Sequence, residues 1–173
     1  MHRIRLTRIV LVLLLGLSLG ATAMARQPDT RTVVHYQHPA GFTETKRLHG
    51  AGIFNEDDDY LAQLKRYLIK QADGVLAPGQ RLEVTITDIA RAGSFEPWLG
   101  PNFDHVRIIK SIYPPRIELN FTLYGTNGTV LRQGQRKLTN LAFMDTVSST
   151  NQDPLRYEKA LIKNWLRRGP DRL

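Results

Sequence analysis

Apolar residues return along this chain in two rhythms. Leu61, Leu64 and Leu68 recur at helical spacing and Ala72 continues the stripe. They predict a helix that opens at Asn55 and stops at Gly74. Glu56, Asp57, Asp58 and Asp59 lie at its positive end, and Lys65, Arg66 and Lys70 toward its negative end. Consecutive acids point around a helix, so this run marks a helix start and does not converge on a metal. Before it, residues 32–37 are rich in β-formers and Pro39 closes them, which predicts a first strand. Residues 38–55 carry glycine at 41, 50 and 52 without a sustained period and predict a long loop.

The second rhythm is alternation. Leu82, Val84 and Ile86 alternate with Glu83, Thr85 and Thr87, a half-buried strand. Continued alternation puts Asp88 on the apolar face, where a carboxylate needs a partner or solvent. It is either a site residue or a cap for the following turn. Residues 92–104 hold Phe95, Trp98 and Phe103 among Pro97 and Pro101, a loop that packs down as a lid or stacks on a ligand. Residues 105–110 predict another short strand. Pro114 and Pro115 then open a long one, because proline is tolerated at a strand's first residue. Ile117, Leu119, Phe121 and Leu123 alternate there with Glu118, Asn120, Thr122 and Tyr124.

Asn127-Gly128 predicts a tight hairpin. A two-residue turn sets Glu118 opposite Lys137, Asn120 opposite Gln135 and Thr122 opposite Gln133. The same register sends Arg132, Gly134 and Arg136 to the apolar face. Those arginines must snorkel, or the turn is longer, or the strand is an edge. Residues 141–152 predict a polar loop. Asp153 caps a last helix with Pro154 in its first turn, and Gly169-Pro170 ends it. Leu155, Leu161, Ile162, Trp165 and Leu166 form its apolar face, and Arg156, Lys159, Lys163 and Arg167 a basic stripe. The order β-α-β-β-β-β-α predicts an α+β fold: an antiparallel-rich sheet of four or five strands with two helices on one face.

The first 25 of the 173 residues change the picture of where this fold works. Arg3, Arg5 and Arg8 precede an apolar run over residues 9–19, and Ala23-Met24-Ala25 follows. That is the pattern of a cleaved secretory signal, leaving one α+β domain over 26–173 and no membrane span. There is no cysteine, hence no disulfide and no lipidation point, and the expected compartment is the periplasm. A chain of that size can be held by its core alone. Of 24 basic residues three leave with the signal; the remaining 21 face 16 acids, a net charge of +5. That mild excess suits an anionic partner, or simply a solvated surface.

Chemistry is less legible. No cysteine nucleophile, G-x-S-x-G elbow, phosphate loop or H-E-x-x-H helix occurs. His35 and His38 form the only close histidine pair, and an odd separation sends them to opposite faces of a strand. We therefore assign no catalytic residue, no metal and no cofactor. The candidate binding surface is Asp88, Arg91, Glu96, Trp98, Asp104, Arg107, Tyr113 and Arg116, with the basic stripe of the last helix as a second. The expected activity is non-catalytic binding or assembly with an envelope protein or an anionic glycolipid; the sequence argues against nucleic acid. The competing expectation is a hydrolase with acids gathered in residues 88–116 and one carboxyl of raised pKa.

Three blocks resemble a known family. They are residues 87–93 (TDIARAG), residues 106–118 (VRIIKSIYPPRIE) and residues 153–159 (DPLRYEK). In this order they are similar to domain of unknown function 3016. The resemblance implies a secreted envelope protein of Gram-negative bacteria without an assigned activity, and it supplies no site residues. Residues 94–102 stand outside the recurring blocks.

Overall fold

The computed structural model describes residues 31–54, 57–148, 150–169 and 173. The expected signal segment, the Asn55 cap with its acidic neighbour Glu56, and Pro170 lie outside them. Strand β1 (Thr32–Tyr36) leads through helix α1 (Thr43–Gly50) and helix α2 (Asp57–Val75) to β2 (Arg81–Ala90). After two short strands, β3 (Ser94–Phe95) and β4 (Arg107–Ile108), come β5 (Arg116–Tyr124) and β6 (Val130–Thr139). A one-turn helix, α3 (Phe143–Thr146), precedes α4 (Arg156–Leu166).

The main sheet has the order β1-β2-β5-β6. The class is α+β, as the periodicities indicate, but the sheet is mixed. β1 runs parallel to β2, while β2–β5 and β5–β6 are antiparallel. A helical crossover between two strands is what a parallel pair requires, and α1 and α2 supply it. Residues 105–110 do not join this sheet. Only Arg107 and Ile108 form a strand, paired with Ser94 and Phe95 in a separate ribbon.

Both long helices cover one face. Leu61, Leu64, Leu68 and Ala72 of α2 and Leu161, Ile162, Trp165 and Leu166 of α4 are buried against Val34, Leu82, Val84, Ile86, Ile89, Ile117, Leu119, Phe121 and Leu123. Each such leucine contributes roughly 1.5–3 kcal/mol of burial free energy. Trp165 meets Phe121 edge to face at 5.8 Å. Gly74 does not stop α2, which continues to Val75. Instead the Arg31 guanidinium donates to the carbonyls of Asp73 (2.5 Å), Leu76 (3.1 Å) and Ala77 (2.9 Å), satisfying groups that a helix end leaves open.

The hairpin has the expected register: Glu118 faces Lys137, Asn120 faces Gln135 and Thr122 faces Gln133. It reaches it by another route. Gly125 N–H bonds Thr129 O at 2.8 Å, so the loop holds three residues, and a bulge between Leu123 and Tyr124 restores the pairing. Gly128 takes the left-handed position of that loop at φ 77°. β6 is an edge strand, and Arg136 does snorkel: its guanidinium lies 5.0 Å over the Phe121 ring and donates to Leu173 O. A second bulge interrupts β2 between Ile86 and Asp88. It sends Ile89 to the core opposite Ile117 and takes Asp88 off the apolar face, opposite Glu118.

Two stretches expected as loops contain helices. Residues 43–50 form α1, docked by the buried Phe42 and Leu48. α3 buries Phe143 against Tyr157, with ring centroids 4.8 Å apart. Asp153 acts one step earlier than expected. Its Oδ1 accepts from Leu155 N–H at 2.8 Å in the turn before α4, where Leu155 is the N-cap.

Candidate functional site

The eight residues expected to share one surface divide into ionic clusters and an outer loop. Asp88, freed from the core by the bulge, reaches the start of α1. It accepts from Thr43 N–H (2.7 Å) and Thr43 Oγ1 (2.8 Å), and Arg116 donates to it at 2.5 Å. It therefore caps a helix 45 residues before it, not the turn that follows. Desolvation pushes the Asp88 pKa up, but the Thr43 amide, the Arg116 guanidinium and the Thr43 hydroxyl outweigh it and hold the carboxyl below the usual range.

The next residue of α1, Glu44, anchors a buried group of charges. Its side chain is 0% exposed. It accepts from Arg91 N–H at 3.0 Å and from the Arg107 guanidinium, which also lies 4.7 Å over the Phe95 ring. Glu158 of α4, 1% exposed, accepts from Ala92 N–H at 2.7 Å. Arg91 donates to Pro154 O at 3.3 Å and stands 5.7 Å over the Tyr60 ring. Two carboxylates and two guanidiniums thus brace the turn after β2 from α1 and α4. Arg91 and Arg107, expected outside, are consumed within the fold.

Glu158 is the carboxyl of raised pKa. Desolvation drives the rise, and the Ala92 amide and the Arg91 charge offset it only in part. It is buried and does not line the cleft beside Asp104. A carboxyl whose folded pKa lies above its unfolded value stabilises the fold most below the ordinary glutamate range and loses that contribution as pH rises. Glu158→Gln is therefore expected to flatten the decline in thermal stability between pH 5 and 8 and to be more stable than wild type at pH 8. Melting curves across that range check this; a parallel decline in both proteins counts against it.

Glu96 forms a third cluster, accepting from Lys110 at 2.7 and 2.9 Å and from Tyr113 Oη at 2.9 Å. The Lys110 ammonium holds its carboxyl below the usual range, against desolvation. This triad fastens the base of the 97–106 loop to the turn before β5. Trp98 and Asp104 belong to the outer loop. Two 3-10 turns, Pro97–Leu99 and Pro101–Phe103, each begin with proline. Trp98 is 70% exposed, and Leu99, Phe103 and Val106 are exposed beside it in sequence. A cleft of about 350 Å³ opens beneath, lined by Arg47, Gly50, Ala51, Ser94, Phe95, Pro97, Asp104 and His105. His105 Nδ1 lies 2.6 Å from Ala51 O, joining the loop to the end of α1. Phe54, 66% exposed, lies against the His49 ring of α1, with centroids 5.1 Å apart.

The four cations of α4 share one cleft: Arg156, Lys159, Lys163 and Arg167 line it with Tyr67, Thr146, Val147, Ser148, Asn151 and Asp153. His35 is exposed on β1 and His38 takes φ 55° ahead of a 3-10 turn. Among the described residues no three His, Cys, Asp or Glu side chains gather to hold a metal, and no helix is long and apolar enough to cross a membrane.

Glu44 and Glu158 escaped the reading of the sequence. Glu44 lies in a stretch whose glycines predict a loop, although the buried Phe42 and Leu48 stand six residues apart on either side of it. Glu158 carries no sequence signal, because its partners are set by the turn at Ala92.

Ionic clusters inside and clefts outside define an α+β protein whose charged interior braces its surface loops. The chain belongs to the family described as Protein of unknown function (DUF3016), whose model matches residues 30–168. No curated protein and no solved structure matches it.

Proposed function

We propose that this protein is an exported, periplasmic binding or assembly module that docks an envelope protein on its 97–106 loop without catalysing a reaction. The observation that carries this reading is the division of labour in that region. Asp88 and Glu96 are each engaged by a cation and hydrogen bonds, so two of the three acids of residues 88–116 hold the scaffold together, and the third, Asp104, meets no second carboxylate among the described residues of the cleft it lines. Above them Trp98, Leu99 and Phe103 stay outside on turns stiffened by Pro97 and Pro101. An exposed aromatic on a rigid loop loses little conformational freedom on binding, which suits an interface anchor. The N-terminal signal pattern supports a partner in the envelope.

The test is the double substitution Trp98→Ser/Phe103→Ser. Trp98 is 70% exposed and Phe103 43%, so stability should change by no more than about 0.5 kcal/mol at Trp98 and fall by about 1–2 kcal/mol at Phe103. A photoreactive group at Leu99 should crosslink a discrete partner in cells. The purified partner should bind the double variant about 30-fold more weakly, the scale of a hot spot of about 2 kcal/mol. Equal affinity for both proteins would overturn the assignment.

A further inference from the structure

The cleft on α4 has a chemistry of its own. It measures about 570 Å³ and combines the four cations with Tyr67, Thr146, Ser148, Asn151 and Asn164. The cations fall at positions 156, 159, 163 and 167, over roughly 16 Å of helix. One carboxylate enters the cleft. Asp153 pairs with Lys159 at 2.5 Å, and Arg156 donates to the Asp153 carbonyl at 3.1 Å. At the other end Lys163 and Arg167 are exposed and meet no carboxylate among the described residues. Asn151 uses its side-chain oxygen on the Asp153 amide at 3.0 Å, and its NH2 group has no partner among the described residues.

We propose that this cleft binds a ligand bearing two or more phosphate groups. The charge is of one sign except for a single, already engaged acid. A single phosphate cannot span the row of cations, whereas a diphosphate or a bis-phosphorylated headgroup can. The Arg167 fork and the Asn151 and Asn164 amides suit phosphate oxygens, while Arg156, which already donates to the Asp153 carbonyl and to Tyr157 Oη at 3.3 Å, adds its charge. The volume is that of a small-ligand site. Helix-dipole compensation explains Lys163 and Arg167 near the negative end of α4, but not Arg156 and Lys159 in its first turn, where cations are disfavoured. The site shares no residue with the loop proposed to dock a protein, so either can fail alone.

Calorimetry at low salt with inorganic pyrophosphate and with inorganic phosphate tests the site. Vesicles of phosphatidylglycerol and phosphatidylcholine form a second arm. The cleft variant is Lys163→Gln/Arg167→Gln, and Lys46→Gln/Lys137→Gln removes the same charge elsewhere from exposed positions. Pyrophosphate should bind wild type and the charge control alike, more tightly than phosphate, and the cleft variant at least about 10-fold more weakly. Affinity should fall steeply with salt, as displacement of counterions requires. Pyrophosphate binding without vesicle binding assigns a soluble phosphate ester. Vesicle binding that pyrophosphate displaces assigns a lipid headgroup. Equal pyrophosphate affinity in wild type and cleft variant, vesicle binding that pyrophosphate leaves untouched, or no binding of either probe overturns the proposal.

Discussion

Glu44→Ala is expected to lower stability by about 3–5 kcal/mol, the cost of leaving a buried charge without its partner. For a chain of this length that corresponds to a melting point on the order of 10 °C lower. Two groups lose their acceptor together: the Arg107 guanidinium and the Arg91 amide. Neither can turn to water without moving β4 or the turn after β2. Glu44→Gln keeps one oxygen and should cost less. In Glu44→Ala/Arg107→Met no orphaned cation remains, and part of the loss should return. Urea unfolding of wild type, Glu44→Ala, Arg107→Met and the double variant gives the coupling. A single alanine effect below about 1 kcal/mol would show that the pair is not buried as described.

Gly93→Ala should be nearly as severe, for a steric reason. Gly93 sits at φ 83°, and a Cβ there would lie 2.7 Å from Ile108 O and 2.6 Å from Ile109 Cδ1. The left-handed backbone costs a larger residue about 1–2 kcal/mol. Moving a backbone carbonyl out of the way adds roughly 1–3 kcal/mol. Gly128→Ala is the internal control. Its φ is 77°, but nothing lies within 4 Å of the added carbon, so only the backbone term applies. Equal melting points for the two alanine variants would mean that the β3–β4 ribbon yields easily. The steric account of the turn would then be wrong.

The comparison of these two sites shows what a sequence can and cannot disclose about this protein. Leu61, Leu64, Leu161 and Trp165 declared their burial by spacing, because a helix buried on one face repeats its apolar residues with its own turn. The pairing of Glu118 with Lys137 was legible for another reason: Asn127-Gly128 marks the turn, and counting back from it sets the polar residues of both strands opposite one another, even though it turns Arg132, Gly134 and Arg136 toward the apolar side of β5. α1 was not legible. Its eight residues hold their shape by docking through Phe42 and Leu48 and because Asp88 and Arg107, far away in sequence, bind Thr43 and Glu44. Residues 105–110 misled in the opposite direction, since their β-formers had only Ser94 and Phe95 to pair with. The basic stripe of α4 was visible and the 97–106 loop was marked by its aromatics. The ionic braces beneath that loop were not, because contacts between residues 63 apart leave no local pattern.

The bulge in β2 carries one last implication. Ile86 pairs with Leu119, Asp88 with Glu118 and Ile89 with Ile117, so Thr87 is the residue the ladder skips. A chain shortened by that residue would keep every pairing on both sides of it. Thr87 is thus a point where length can drift by one codon without turning the strand inside out, whereas a loss at Val84 or Ile89 would invert whatever follows.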